Sequence, residues 1–212
     1  ARDADESFWL WLSHASVTLA EAVRIAACKR LDIEYTELVA GSRTRKSAKG
    51  VCIDIYLYDS LSSGAGYSER IGQMLPLLFD DTRALLAGCN CDSACFECLK
   101  NYRNQFAHAK LDRFEALELL AWGVDGDAPA ELDLGEQEQR LRTFETILKD
   151  AGIAIAAKED GLYLVKGKAE KKVVVYPELL GAGGDNALYL GAGAIKHAKP
   201  AVLKILLDAF EG

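Results

Sequence analysis

Four of the six cysteines in this sequence lie close together, in the stretch GCNCDSACFECLKNYRNQ at residues 88–105. They follow the spacing C-x-C-x3-C-x2-C and are Cys89, Cys91, Cys95 and Cys98. Zinc in a structural site takes four ligands at the corners of a tetrahedron, and thiolate sulfur is a preferred ligand. The spacing therefore predicts one zinc ion held by a single short loop. Because four cysteines leave no open coordination position, we expect the ion to stabilise the fold and not to catalyse hydrolysis.

The residues alone leave three alternatives to zinc open. A single [4Fe–4S] cluster also takes four cysteines, although its spacings are usually wider or more regular. A dithiol redox centre at Cys95 and Cys98 would leave the other two thiols unexplained, and disulfides are disfavoured in a reducing compartment. A tetrathiolate zinc site carries a charge of about −2 that nearby donors must offset. Lys100 and Arg103 follow on the next turn, and they either supply this charge or remain solvent-exposed cations.

The composition is that of an ordinary globular protein of 212 residues, since 50% are hydrophobic and 27% are charged. The net charge of −7 argues against a free-standing duplex binder, which is usually basic, but it leaves room for a local basic patch. The longest apolar runs, such as ELLAWGV, are too short to span a bilayer. The start resembles no secretion leader, so we expect a cytoplasmic, reducing location. It also lacks an initiator Met, as expected of a piece of a longer protein or a processed chain.

The secondary-structure elements predicted on either side of the cysteines indicate a mixed α/β (α+β) fold. Apolar residues recur at three- and four-residue steps over residues 6–31, which predicts a long helix. The alternation in GVCIDIYLYDS predicts a strand. A helix from about Ala65 should be kinked or divided by Pro76, and KLDRFEALELLAWGV predicts another helix after the cysteines. Cys28 and Cys52 lie in apolar patterns and should pack in the core.

A polar, acidic stretch that contains Pro and Gly, DGDAPAELDLGE, divides the chain. We therefore predict a mostly helical, zinc-stapled domain with a short sheet over residues 1–124 and a linker over residues 125–135. Residues 136–212 should form a small unit with the element order α-β-β-β-β-α, which we assign to no known family. We predict that Gly152 ends its first helix and that Pro200 lies near the first turn of its last helix.

The stretch YLYDSLSSGAGYSERI predicts a strand that ends at Asp59, a glycine-bearing turn and then a helix. Such a turn can place backbone N–H groups around an anion. The alternative is a tight structural turn in which Gly64 and Gly66 supply the backbone freedom and Asp59 caps the turn. His108 is a further candidate metal ligand, but four thiols already suffice, so we expect it to be structural.

Two basic segments are candidates for nucleic-acid contact. The first, GSRTRKSAKG, contains no acidic residue, and the second follows the cysteine cluster. The candidate residues are Arg43, Arg45, Lys46, Lys49, Lys100 and Arg103, and Lys110 and Arg113 also belong to the second segment. Both segments are equally compatible with solvated surfaces.

Four motifs stand in one order: SFWLWLSHASVTLAEAVRIAACKRLDIEYTEL, IYLYDSLSSGAGYSERI, CNCDSACFECL and NYRNQFAHAKLDRFEALELL. Together, over residues 7 to about 122, they resemble the MrfA-type zinc-binding (MZB) domain. That domain occurs at the C-terminus of many DEAD/DEAH-box superfamily 2 helicases and in DISARM-type helicase-associated proteins. The resemblance implies that the four clustered cysteines are the zinc ligands. Ser63 stands where the family usually has a glycine, which puts a close backbone approach at that position in doubt.

The resemblance implies an accessory domain of an ATP-dependent DNA helicase in DNA repair or phage defence. ATP would bind only in motor domains elsewhere in the polypeptide or complex, since this sequence has no GKT/GKS loop and no DExH box. Those motor domains would be its partners, with DNA as a further partner and no membrane contact. The alternative is a protein-interaction module of a defence or repair complex that does not touch DNA.

Overall fold

The computed structural model describes residues 2–47, 50–61, 63–184 and 186–211. Within them, eight α-helices and two small sheets confirm the mixed α/β class. The chain divides into two compact units, Leu12–Asp127 and Ala1–Trp11 with Ala128–Gly212. Residues 126–133, inside the predicted linker, form neither helix nor strand. Among the described residues, no helix has both the length and the apolar character that crossing a bilayer requires.

Helix α1, Arg2–Leu31, confirms the long apolar helix predicted from the sequence. Its interior contains neither Gly nor Pro, and its stripe residues, including Leu12, Ala15 and Ala22, are buried. The helix ends before Asp32, whose φ of 54° is a left-handed conformation that Asp tolerates better than most residues. Cys28 is buried as predicted, whereas Cys52 is only half-buried, so the prediction of core packing for Cys52 is wrong.

The unit Leu12–Asp127 contains an antiparallel hairpin followed by helices. Strands β1 (Leu38–Ser47) and β2 (Gly50–Asp59) pair from Leu38 opposite Asp59 to Ser47 opposite Gly50. The predicted division at Pro76 is confirmed, because this residue lies in the first turn of a separate helix, where proline is tolerated. The helical elements are α2 (Tyr67–Gly72), α3 (Leu75–Ala87), a 3₁₀ helix (Tyr102–Ala107), α4 (Arg113–Leu120) and a π-helical turn (Ala121–Asp125).

The other unit is built on a four-stranded sheet with the order β3-β4-β5-β6. The first three strands are antiparallel and β6 runs parallel to β5. The strands are β3 (Ala154–Lys158), β4 (Gly161–Lys166), β5 (Ala169–Tyr176) and β6 (Leu188–Gly191). The helices are α5 (Leu134–Leu141), α6 (Glu145–Asp150), α7 (Ala192–His197) and α8 (Lys199–Asp208), with a 3₁₀ turn (Arg142–Phe144) between α5 and α6.

This unit has its own hydrophobic core, in which one face of the sheet packs against helices. Leu162 and Leu164 of β4 and Val173 of β5 are buried with Leu148 of α6 and Leu206 of α8. The predicted order of elements is observed in outline, but two helices, α5 and α6, stand where one was predicted, and the short helix α7 precedes the last helix. Gly152 follows α6 with a φ of 73°, which a residue without a Cβ adopts easily.

Candidate metal centre

The four clustered cysteines bring their sulfur atoms to within 4.8 Å of one another. The Sγ–Sγ distances are 3.5 Å for Cys89–Cys95 and 3.7 Å for both Cys91–Cys98 and Cys95–Cys98. A zinc ion with Zn–S bonds of about 2.3 Å spaces its ligands at roughly 3.8 Å along each tetrahedral edge. The donor set therefore fits one zinc ion. The distances are too long for disulfides, whose S–S bonds are about 2.05 Å, and a four-iron core between the thiolates would need a wider cage.

The loop backbone turns around the second pair of cysteines. The carbonyl oxygen of Cys95 accepts hydrogen bonds from the N–H groups of Leu99 and Lys100, at 3.1 and 2.9 Å. The N–H of Cys95 lies 3.3 Å from the sulfur of Cys98, to which it donates. N–H donors of this kind stabilise a thiolate. Leu99 is fully buried, so this turn is anchored in the core.

The pKa values of three of the thiols depart from the ordinary value, that of Cys89 downward and those of Cys91 and Cys98 upward. Hydrogen bonding from the backbone of Cys91 and from neighbouring thiols lowers the pKa of Cys89 to about 7. Burial raises the pKa of Cys98 to about 12. A divalent cation among the four sulfurs would favour the thiolate at every position, because thiols deprotonate on coordination.

A buried guanidinium connects the cysteine loop to the helices on both sides. Arg113 donates from Nε to the carbonyl oxygen of Cys91, at 2.9 Å, and from Nη1 to that of Leu86 at the end of α3, at 3.0 Å. Its guanidinium also lies 3.9 Å from the ring centroid of Phe114. The sequence placed this residue in the second basic segment as a candidate for phosphate contact, whereas in the structure it is buried in the first turn of α4, behind the N-cap Asp112.

Arg113 places a positive charge beside the cysteine loop, a role that the sequence left open for Lys100 and Arg103. Neither of those side chains makes an ion pair in the part of the chain that the structure describes. Lys100 is half-buried and Arg103 is exposed.

Asn104 lies directly after the cysteine loop, where its buried side chain hydrogen-bonds to several polar groups. Its Nδ2 donates to Glu21 of α1, at 2.9 Å, and to the carbonyl oxygen of Leu99, at 2.8 Å. Glu21 also pairs with Arg24 at 2.6 Å, so the buried carboxylate is neutralised. His108 Nε2 lies 2.9 Å from Asn104 Oδ1, which agrees with a structural histidine and not a metal ligand.

The glycine-bearing turn after β2 is closed by its own aspartate. The carboxylate of Asp59 accepts hydrogen bonds from the N–H groups of Ala65, Gly66 and Ser68, at 2.6–2.8 Å. These bonds, led by the one from Ser68, lower the pKa of Asp59. The N–H groups that could have received an anion are thus already used, and the structural alternative for this turn is confirmed. Gly64 and Gly66 have φ values of 70° and 76°, in the region that favours glycine.

The first basic segment lies on the β1–β2 hairpin. It contains no acidic residue itself, but an acidic residue of β2 lies next to it. Arg43 and Arg45 both pair with Asp54 of β2, at 3.2 and 2.5 Å, because the strand register places Arg43 opposite Asp54. Lys49 lies outside the described residues, and of Lys46 only the backbone is described. The assignment of these residues to nucleic-acid contact remains a prediction.

The sheet of the other unit carries a Glu-x-Lys triplet, Glu170–Lys172, which could suggest a metal-dependent nuclease together with Asp160. The strand register separates the two carboxylates. Asp160 directly precedes β4, whereas Glu170 pairs with Val165 near the other end of that strand. Glu170 forms an ion pair with Lys158, and Asp160 lies near Lys172. The two acids therefore do not form a shared metal site among the residues described.

The four cysteine sulfur atoms form a candidate four-ligand metal site, and comparison with known proteins indicates the class of domain that contains it. Residues 14–99 match the family model of the MrfA Zn-binding domain (MZB), and all four cysteines lie within that range. The stretch that contains the cysteine loop is thus similar to the MrfA Zn-binding domain. This finding confirms the resemblance drawn from the sequence motifs.

Two individual proteins are similar to this chain. The Druantia protein DruE of Escherichia coli (strain UMEA 4076-1) is 33% identical over 165 residues, which cover 76% of this chain and 9% of DruE. A crystal structure of the DUF1998 helicase MrfA bound to DNA aligns with 57% of this chain and 14% of that chain, at 18% identity and a TM-score of 0.37. The chain therefore spans only a small part of either protein.

Proposed function

We propose that this chain is a zinc-stapled accessory domain of an ATP-dependent DNA helicase that serves DNA repair or phage defence. The observation that carries the proposal is the cluster of four sulfur atoms at the spacing of a tetrahedral zinc site. The match to the MrfA Zn-binding domain supports the same assignment. Cys89, Cys91, Cys95 and Cys98 hold the ion, while ATP binds in motor domains outside this sequence.

The zinc ion has a structural role in this proposal. Four thiolates fill its coordination sphere, so no position remains for water or a substrate. The ion joins both halves of the loop between α3 and α4, while Arg113 connects that loop to the two helices. Metal binding thereby contributes directly to the free energy of folding of the unit Leu12–Asp127.

A second candidate function, a protein-interaction module, is favoured by an apolar cavity in the same unit. The cavity has a volume of about 640 Å³ and is lined mainly by side chains of β2, α2, α3 and the π-helical turn. Leu75, Trp122 and Val124 line it and remain 43–45% exposed. Apolar surface of this kind is typical of a docking site for another protein segment.

Metal analysis and unwinding assays test the proposal. Protein purified without added metal should contain about one zinc ion per chain, as a closed four-ligand site implies. In the full-length polypeptide, Cys91→Ser and Cys95→Ser should reduce zinc content and DNA unwinding together. Cys52→Ser serves as the matched control, because Cys52 lies outside the cluster.

Two results would contradict this function. Iron in place of zinc, with absorbance near 400 nm, would make the site an iron–sulfur centre. A full-length polypeptide that neither hydrolyses ATP nor unwinds DNA, but retains a stable protein complex through this domain, would establish the interaction module instead.

A further inference from the structure

Three aromatic side chains near the metal loop are exposed to an unusual degree. Phe96 is 73% exposed, and Tyr102 and Phe106 are each 83% exposed. No other large apolar side chain in the described part of the chain exceeds 56%. Burying such rings in a core would stabilise the fold by about 1.5–3 kcal/mol each, so their position on the surface calls for an explanation other than folding.

The backbone beneath these rings is firmly held. Leu99, Asn104 and Ala107 alternate with the exposed positions and are at most 2% exposed. The 3₁₀ helix that carries Tyr102 and Phe106 begins with a capping box between Asn101 and Asn104. Further along the segment, the ring of His108 packs edge-on against Phe96, with centroids 5.5 Å apart. The aromatic rings are therefore presented on a rigid base and not on a loose loop.

Positive charges are interleaved with the rings. Residues 96–110 contain three cations, Lys100, Arg103 and Lys110, and one acid, Glu97, which leaves a charge of +2 before that of the thiolates is counted, in a chain whose net charge is −7. None of the three cations forms an ion pair among the described residues. Arg43 and Arg45 differ in this respect, because both already pair with Asp54.

We infer that this aromatic–cationic surface, formed by Phe96, Lys100, Tyr102, Arg103 and Phe106, binds single-stranded nucleic acid. Exposed rings accept stacked bases whose faces are open only in a single strand, and cations along the same path meet the phosphates. A protein–protein interface would also use aromatic residues, but its core is depleted of lysine. The inference rests on the proposed helicase function, and it names the ligand and the surface that receives it.

Fluorescence anisotropy with a labelled 20-nucleotide oligo(dT) and a blunt duplex of equal length tests this inference. The chain should bind the single strand more tightly than the duplex. Loss of one stacked base should weaken binding by roughly five- to 150-fold, so Tyr102→Ala and Phe106→Ala should each fall in this range. Phe106→Trp should restore binding, since it retains a stacking face. Arg103→Ala should reduce the slope of log affinity against log salt by about 0.7.

Tyr58→Ala is the matched control, because Tyr58 is an aromatic residue on β2 that is 50% exposed and lies outside the surface. Its affinity for oligo(dT) should equal that of the unmodified chain. All variants should retain their zinc content and melting temperature, since the replaced side chains are exposed. Affinity for oligo(dT) that is unchanged in Tyr102→Ala and Phe106→Ala overturns the inference, as does tighter binding to the duplex.

The same variants in the full-length polypeptide separate this inference from the proposed function. If unwinding depends on zinc while the affinity for oligo(dT) does not depend on Tyr102 and Phe106, the helicase assignment holds and the single-strand site is refuted. If the polypeptide lacks helicase activity, the proposed function fails whatever the oligo(dT) affinity. Retained oligo(dT) binding combined with loss of contact to another domain in Phe106→Ala would identify the surface as a protein interface and refute the inference.

Discussion

Replacing Arg113 by methionine should destabilise the unit Leu12–Asp127 more than any exposed charge substitution. Methionine retains an apolar stem to pack near Phe114 but donates no hydrogen bond to the carbonyl oxygens of Cys91 and Leu86. An acceptor in a buried site that loses its donor costs about 1–3 kcal/mol. With two acceptors affected, we expect the free energy of unfolding to fall by about 2–6 kcal/mol.

The assay is urea denaturation of the zinc-loaded chain, with the unfolding free energy extrapolated to water. Arg113→Lys should give an intermediate loss, because a single ammonium group lacks the planar fork that reaches both carbonyl groups. Arg103→Met removes an exposed guanidinium from the same region and should change stability by less than about 0.5 kcal/mol. If Arg113→Met and Arg103→Met denature at the same urea concentration, Arg113 does not hold the loop.

Three further predictions follow from the metal site and the ion pairs. Cys91→Ser and Cys95→Ser should lower the melting temperature sharply and abolish the stabilisation that added zinc gives the unmodified chain, and variants that melt like the unmodified chain would show that the cluster is not structural. NMR titration should place the pKa of Asp54 at about 2, below its ordinary 3.8, because Arg45 and Arg43 hold it ionised. Since the folded-state pKa is depressed, this stabilisation is complete above pH 3.8 and is lost as the pH falls towards 2; Arg45→Ala should move the pKa back up, and an unchanged value would contradict the pairing. The isolated chain should hydrolyse no ATP above background, and a turnover that persists through repeated purification would reveal an unrecognised nucleotide site.

The metal site could be predicted from the sequence because its four ligands lie within one short loop, so their spacing alone limits the geometry. The division at Pro76 and the helix end at Gly152 were equally accessible, because both depend on the local backbone chemistry of single residues. The fold class followed from hydrophobic periodicity.

Contacts between residues that are far apart in the sequence could not be predicted from local spacing. Asn104 reaches Glu21 across 83 positions, and Arg113 reaches Cys91 across 22. Such pairs depend on how helices pack, which periodicity does not encode. Predicting the ion pair of Arg43 with Asp54 requires the register of the β1–β2 hairpin. Because the sequence does not give that register, the first basic segment looked more positive in the sequence than it is in the structure.

Two separate sets of contacts hold the segment between Cys89 and His108: the metal site and the hydrogen bonds of Asn104. Hydrogen exchange should distinguish the amides that depend on each. As zinc is withdrawn, the amides of Leu99 and Lys100, which donate to Cys95, should exchange first because the loop that holds their acceptor opens. The amide of Asn104 donates to the Asn101 side chain, and the Asn104 side chain donates to Glu21 of α1 as well as to the carbonyl oxygen of Leu99, so the bond to Glu21 remains when the metal loop opens. The exposed rings of the 3₁₀ helix should therefore keep their arrangement while the loop beside them is already exchanging with solvent.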